Sequence, residues 1–127
     1  MAKEFTSTHE LTAVEKIKLK NIDALSVAEL TKNSENGFAL GNVKSITIIS
    51  DDEHMADNEV SEIAIFECEN ADGNTEYYLV SSAVVIDTIS DIIADIAEDE
   101  SLLAEFVFYF SYGTSKTGNR YLAVKVK

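Results

Sequence analysis

Between Val60 and Val80, two runs of strand-forming residues flank the dipeptide Asp72-Gly73. The first run, Val60–Cys68, sets Ile63 and Ile65 against Ala64 and Phe66 on opposite faces, and the second is Thr75–Val80. Asp-Gly between such runs selects a tight turn, because glycine takes a positive φ at no steric cost. The segment therefore reads as a β-hairpin and commits the middle of the chain to an antiparallel sheet.

Other segments extend that sheet. Val43–Ser50 is a β-branched run containing Ile46, Thr47, Ile48 and Ile49. Val14–Ile22 contains Lys16-Ile17-Lys18-Leu19-Lys20, whose strict alternation predicts a half-buried strand. Glu105–Tyr112 places Phe106, Phe108, Phe110 and Tyr112 on one face. The last strand, Arg120–Lys127, turns Leu122, Val124 and Val126 inward and Tyr121, Ala123, Lys125 and Lys127 outward. Gly113–Asn119 is the turn-rich loop between them.

One clear helix is expected, about Ala83 to Ala97, with Ser82 as its cap. Val85, Ile89, Ile92, Ile93 and Ile96 share one side at helical spacing, Ile86 stands off that stripe, and Asp87, Asp91 and Asp95 form a row opposite. Glu98-Asp99-Glu100 opposes the helix dipole and favours a stop. Ser26-Val27-Ala28-Glu29 has capping-box spacing, which predicts one helical turn before Asn33. Gly37 and Gly41 punctuate the loop that follows, and residues 51–58 read as an acidic loop. Residues 1–12 lack periodicity and read as a flexible arm.

Strands, then one helix, then a two-stranded hairpin is the element order of an OB-fold. The expected architecture is mainly β with one helix, an OB-fold-like Greek-key barrel of five to six strands, as a single domain over residues 13–127. With 127 residues and 46% apolar content the chain can support such a core and is no disordered acidic polymer.

The formal charge is −13, from 23 acids and 10 bases. No base lies between positions 45 and 115, whereas 17 acids do. The remainder carries ten bases and six acids, a net of +4. Such segregation predicts two differently charged surfaces if the fold joins the two ends. The plainer alternative is an acidic protein whose charge only keeps it in solution.

In an OB barrel the first strand pairs with the fourth, and the loop between the last two overhangs the binding face. That geometry would gather Lys16, Lys18 and Lys20 with Lys116, Arg120, Lys125 and Lys127. Tyr109 and Tyr121 face outward on the last two strands. Cations that follow phosphates, with rings that stack under bases at about 1–3 kcal/mol each, are what single-stranded nucleic acid needs. Gly113 and Gly118 let the loop approach a sugar-phosphate backbone, and Thr114, Ser115 and Thr117 offer hydroxyls. Taken singly, these features also fit a solvated strand face, an ordinary hairpin connection and rings at the edge of a core.

Catalysis finds little support. Cys68 is the only cysteine, which excludes a disulfide scaffold and suits a small core residue. His9 falls in the arm, and His54 beside Asp51, Asp52 and Glu53 lacks a second histidine at a metal-binding spacing. The aspartate row of the helix reads as solvated. No nucleophile-elbow, phosphate-loop or dinucleotide signature is present. No enzyme activity, metal or cofactor is expected. No uncharged stretch of about 18 apolar residues occurs, so no membrane span is expected. Met1–Phe5 lacks a signal-peptide core, which predicts a cytoplasmic protein.

Asp57–Phe66, then Asp72-Gly73, then Tyr78 leading to Ile86 and Ser90-Asp91-Ile92-Ile93, then Phe106–Val126 with the Gly113–Asn119 loop, occur in a telling order and spacing. Over residues 57 to 126 the chain resembles the small single-stranded DNA-binding proteins of protein-primed tailed phages that infect Gram-positive bacteria. Earlier in the chain only the Asn33–Gly37 turn looks similar. The resemblance implies an OB-like, early viral protein that coats displaced single strands during phage DNA replication in the host cytoplasm, without catalysis or cofactor. It also implies a place near DNA for Tyr78. The first half departs from the family: other tyrosines are expected there, Ile48, Ile49 and His54 stand nearby instead, and the chain is more acidic.

A different class of function also fits. The base-free acidic stretch and the Asp87/Asp91/Asp95 row could imitate spaced phosphates, as in an acidic DNA mimic that inhibits a basic nucleic-acid-handling partner. The acidic face could equally engage replication proteins, and a self-assembling virion or scaffold component is a third option.

Overall fold

The ring of Phe66 is fully buried and stands edge-on to Phe108 and Phe110, with centroids 5.5 and 5.9 Å away. Phe66 belongs to one β-sheet and the other two to a second, so this trio marks where two inner faces meet. The computed structural model describes residues 4–8, 10–20, 23–34, 37–50, 62–96, 99–114, 116–118 and 120–127.

Among these residues the protein is mainly β, with eight strands in two sheets. The strands are β1 (Glu4–Ser7), β2 (Leu25–Ser26), β3 (Phe38–Leu40), β4 (Val43–Ser50), β5 (Glu62–Glu69), β6 (Thr75–Val80), β7 (Phe108–Thr114) and β8 (Arg120–Val126). The helices are α1 (Ala13–Lys20), α2 (Val27–Lys32) and α3 (Ala83–Asp95), with a 3₁₀ helix at Glu100–Glu105. The five-stranded sheet runs β1-β4-β5-β6-β2 and the three-stranded sheet β3-β7-β8.

The expected five- to six-stranded barrel is replaced by two sheets that do not close. The side of β6 away from β5 is taken by β2, which pairs in parallel through Leu25↔Tyr78, and β8 is left as an edge. The sheets are joined instead by residues 38–50. β3 ladders with β7, β4 ladders with β5, and only Gly41 and Asn42 separate them, with Asn42 at φ 53°.

The expected hairpin forms as β5–β6. Gly73 has φ 82°, and the Asn70 side chain accepts from the backbone N–H groups of Asp72 and Asn74 at 2.9 and 3.0 Å. The expected helix is α3, with Val85, Ile89, Ile93 and Ile96 buried and Asp87, Asp91 and Asp95 exposed. Ile86 is buried with the main stripe. Ser82 holds the N-cap position without capping, because its hydroxyl donates to the Leu122 carbonyl at 3.3 Å.

Several segments differ from the sequence reading, among them β3, which occupies Phe38–Leu40 where a loop is expected. The stretch 1–12 contains β1, antiparallel to β4, and Thr8 is buried with its N–H donating to the Ile46 carbonyl. Backbone pairing makes this strand, so it needs no side-chain period. Residues 13–20 form α1 rather than a strand. The Thr12 hydroxyl accepts from the Glu15 N–H at 3.2 Å while the Glu15 carboxylate accepts from the Thr12 N–H at 3.1 Å, a reciprocal capping box that starts the helix. The alternating apolar residues do not mark a buried face: Ile17 is 61% exposed. Finally, Glu105 ends the 3₁₀ helix, so the strand expected from there begins only at Phe108. Asp51–Asn58, His9 and His54 lie outside the described residues. Among the described residues no helix is long and apolar enough to cross a membrane.

Candidate nucleic-acid interface

Alternation along β7 and β8 divides the three-stranded sheet into two chemically different faces. Phe108, Phe110 and Leu122 point inward and are buried. Their neighbours Tyr109 and Tyr121 point outward, 42% and 40% exposed, as the sequence predicts. The register sets Tyr109 opposite Lys125, Ser111 opposite Ala123, and Gly113 opposite Tyr121, with Ala39 of β3 beside Tyr109. None of these outward positions carries a carboxylate. Small residues therefore floor a trough between two tyrosines.

Each ring has a defined seat. The Lys127 ammonium lies 5.3 Å from the centroid of Tyr109, within cation–π range. Tyr121 lies against Gly113, where an added Cβ would sit 2.8 Å from the ring's Cζ atom. A side chain at 113 would therefore have to displace the Tyr121 ring, whereas the φ of Gly113 is not in the left-handed region. A ring covering a strand glycine restores the packing that the glycine lacks.

At the hairpin end, the Arg120 guanidinium stands 4.8 Å above the ring of Tyr112. Tyr112 is anchored in turn, its hydroxyl donating to the Ala28 carbonyl of α2 at 3.2 Å. Lys116 is exposed in the turn joining β7 to β8, beside Thr117 and Gly118. Tyr109, Lys116, Arg120, Tyr121 and Lys125 therefore share one hairpin.

The other expected members do not join them. Lys16, Lys18 and Lys20 belong to α1, so the strand pairing that would have gathered seven bases does not occur. Leu11 and, from α1, Glu15, Lys18 and Leu19 line a shallow pocket together with Ser45, Thr47, Glu67 and Tyr77. These sheet positions alternate with inward-facing Ile46 and Phe66, so the pocket places α1 on the outer-face side of the five-stranded sheet. That face points away from β7–β8, because the inner faces contact each other.

Tyr78 is half-buried on β6, its ring 5.9 Å from that of Phe38. Its hydroxyl donates to Glu76 at 2.6 Å, and Asn70 donates to the same carboxylate at 3.0 Å. These hydrogen bonds, the tyrosine's first, hold Glu76 below the usual carboxylate range. Burial, then the bond to Glu76 and its charge, push Tyr78 up to about 12. Cys68 is buried, and desolvation with the nearby charges of Glu67 and Glu76 raises its thiol to about 12. A thiol held so far up is a poor nucleophile at neutral pH.

Sequence reasoning passed over Lys32. It lies in the last turn of α2 and lines a groove that also contains Arg120 and Tyr112. The Ser26 capping box does locate α2, with Ser26 Oγ accepting from the Glu29 N–H at 3.3 Å. What local sequence does not carry is that α2 packs against β7. Comparison with protein-family models, with curated proteins and with solved structures found no significant match.

Proposed function

We propose that this chain is a non-catalytic single-stranded DNA-binding protein that coats and protects displaced strands during phage DNA replication. The observation that carries the reading is the outer face of β3–β7–β8. There two exposed tyrosines flank a trough of small residues, Lys125 and Lys127 stand beside them, and no outward position is acidic. Stacking on such rings tolerates any base, and the lysines match the backbone charge. The −13 of the whole chain then limits anion contact to this side.

The same reading takes the architecture as an open relative of the OB-fold. Residues 38–50 act as its first strand, bent at Gly41-Asn42, and α3 stands between the β4–β5–β6 meander and the β7–β8 hairpin. In this reading the antiparallel pairing of β3 with β7 is the counterpart of the contact between first and fourth strands in an OB barrel.

The chain has five tyrosines and no tryptophan, so its own fluorescence reports on these rings. Titration with oligo-dT at about 50 mM salt should quench it, and log K should fall with log salt at a slope near −0.7 per phosphate, roughly −3.5 for about five contacts. Absence of both quenching and binding at that salt sinks the proposal. A second reading rests on the exposed Asp87/Asp91/Asp95 row of α3, which would suit a phosphate mimic. Immobilised protein that retains a basic nucleic-acid-handling protein from host lysate, while ignoring oligo-dT, would favour that reading instead.

A further inference from the structure

Next to the tyrosine face, a groove of about 360 Å³ runs between the end of α2 and β7, lined by Thr31, Lys32, Ser34, Gly37, Tyr112 and Arg120. Ser111 completes its wall and, from its outward position on β7 between Tyr109 and Gly113, also belongs to the trough. Two cations reach the groove from elements far apart in sequence, and its described lining contains no carboxylate. The backbone at Gly37 passes so close to β7 that an added Cβ would be 2.5 Å from the Phe110 carbonyl oxygen.

The chemistry of this lining is specific. The Arg120 guanidinium carbon lies 4.8 Å from the Tyr112 ring centroid, and a guanidinium presents its N–H donors as a planar fork that matches an oxyanion. The Tyr112 ring cannot swing away easily, because its hydroxyl is bonded to α2. Thr31 and Ser34 donate their hydroxyls to the Val27 and Leu30 carbonyls, at 2.8 and 2.9 Å, so they shape the wall rather than supply donors. Charge recognition falls to Lys32 and Arg120.

We propose that the Lys32–Arg120 groove holds backbone phosphate of a bound single strand, as the continuation of the tyrosine trough across Ser111. This inference rests on the function proposed above and adds a path to it: bases over Tyr109 and Tyr121, phosphates turning down beside β7 toward α2. A strand so held lies in one register relative to the hairpin rather than sliding over a flat basic patch.

The test uses the full chain and two probes, oligo-dT and an abasic deoxyribose-phosphate oligomer of equal length. Backbone amide spectra of the wild-type protein at low salt should show Ser34, Gly37 and Ser111 moving with the abasic probe. Inorganic phosphate at matched concentration should move them much less. In Lys32→Gln/Arg120→Gln those shifts should vanish, and the salt slope for oligo-dT should become shallower by about 1.4, two contacts at about 0.7 each. Lys32→Gln alone, on an exposed residue of α2, should give half that change with unaltered thermal stability, which separates the phosphate contact from loss of the Arg120–Tyr112 stack. Unmoved amides, an unchanged slope, or inorganic phosphate binding as tightly as the oligomer would each overturn the assignment, even where oligo-dT still quenches tyrosine. Conversely, groove shifts with the abasic probe but no quenching by oligo-dT would keep the phosphate groove and reject the tyrosine trough.

Discussion

The ring of Tyr121 lies across the backbone of Gly113, its registered partner on β7, with Cζ and Oη at 2.8 and 2.9 Å from where a Cβ would stand. A methyl group at 113 must therefore displace the ring, and because these are the far atoms of a 40% exposed side chain, the ring can move at little cost. Gly113→Ala should change unfolding free energy by less than about 1 kcal/mol, since alanine also gains strand propensity over glycine. It should nonetheless weaken oligo-dT binding by about 1–3 kcal/mol, as loss of one stacking ring does. Chemical denaturation and fluorescence titration of the same variant separate the two effects, and wild-type affinity would show that the seat of Tyr121 has no role.

Gly37 and Gly118 both take positive φ, 87° and 88°, but in different surroundings. A Cβ added at Gly37 would lie 2.5 Å from the Phe110 carbonyl oxygen, whereas one added at Gly118 would meet no described atom beyond its chain neighbours within 4 Å. Gly118→Ala should cost only the left-handed backbone, about 1–2 kcal/mol. Gly37→Ala adds a clash with main chain that cannot rotate away, and should cost about 3 kcal/mol. Urea midpoints of the two variants give the comparison; equal losses would show that the β7 backbone yields.

Thr8 ties β4 to the 3₁₀ helix. Its hydroxyl accepts from the buried Ile46 N–H at 3.2 Å and donates to Glu100 at 2.6 Å. Thr8→Val keeps the shape and removes both bonds, leaving a buried amide unsatisfied, which costs about 1–3 kcal/mol. Hydrogen exchange at Ile46 should accelerate in Thr8→Val and stay near wild type in Thr8→Ser.

Burial of Tyr78, with its hydrogen bond to Glu76, makes stability depend on pH at both ends. Tyr78 is raised from 10.0 to about 12, so its contribution is full below pH 10 and is lost as pH climbs through about 12. Glu76 is lowered from 4.5, so its contribution is present above that value and fades as pH falls below it. The wild-type thermal midpoint should fall more steeply than that of Tyr78→Phe between pH 10 and 12. Tyrosinate absorbance should show the last-titrating group shifting toward 10 in Glu76→Gln.

Cys68 offers a check on the core itself. With its thiol buried and raised to about 12, iodoacetamide at pH 8 should label the folded protein far more slowly than the urea-unfolded chain. Rapid labelling of the folded protein would mean that β5 opens locally.

Much of the candidate site was legible in the sequence because strand alternation is a local property. Once β7 and β8 are strands, Phe108 and Phe110 inside require Tyr109 outside, and Leu122 inside requires Tyr121 outside. The Asp72-Gly73 hairpin and α3 were legible for the same reason. The Lys16–Lys20 stretch shows the limit: its period of two competed with a capping box at Thr12 and Glu15, and the helix start won. Straight-chain Lys, Glu and Leu accept a helix readily, so no strand propensity opposed it.

What the sequence by itself determined, then, is which residues of each segment share a face and where the tightest turn falls, since these follow from interactions within a few residues. Tertiary structure alone decided that β2 takes the side of β6 that a closed barrel would need, that residues 38–50 serve both sheets, and that Lys32 of α2 and Arg120 of β8 line one groove. Those outcomes depend on burial shared between residues tens of positions apart, as in the contact of Phe66 with Phe108 and Phe110, and no local period encodes such a choice.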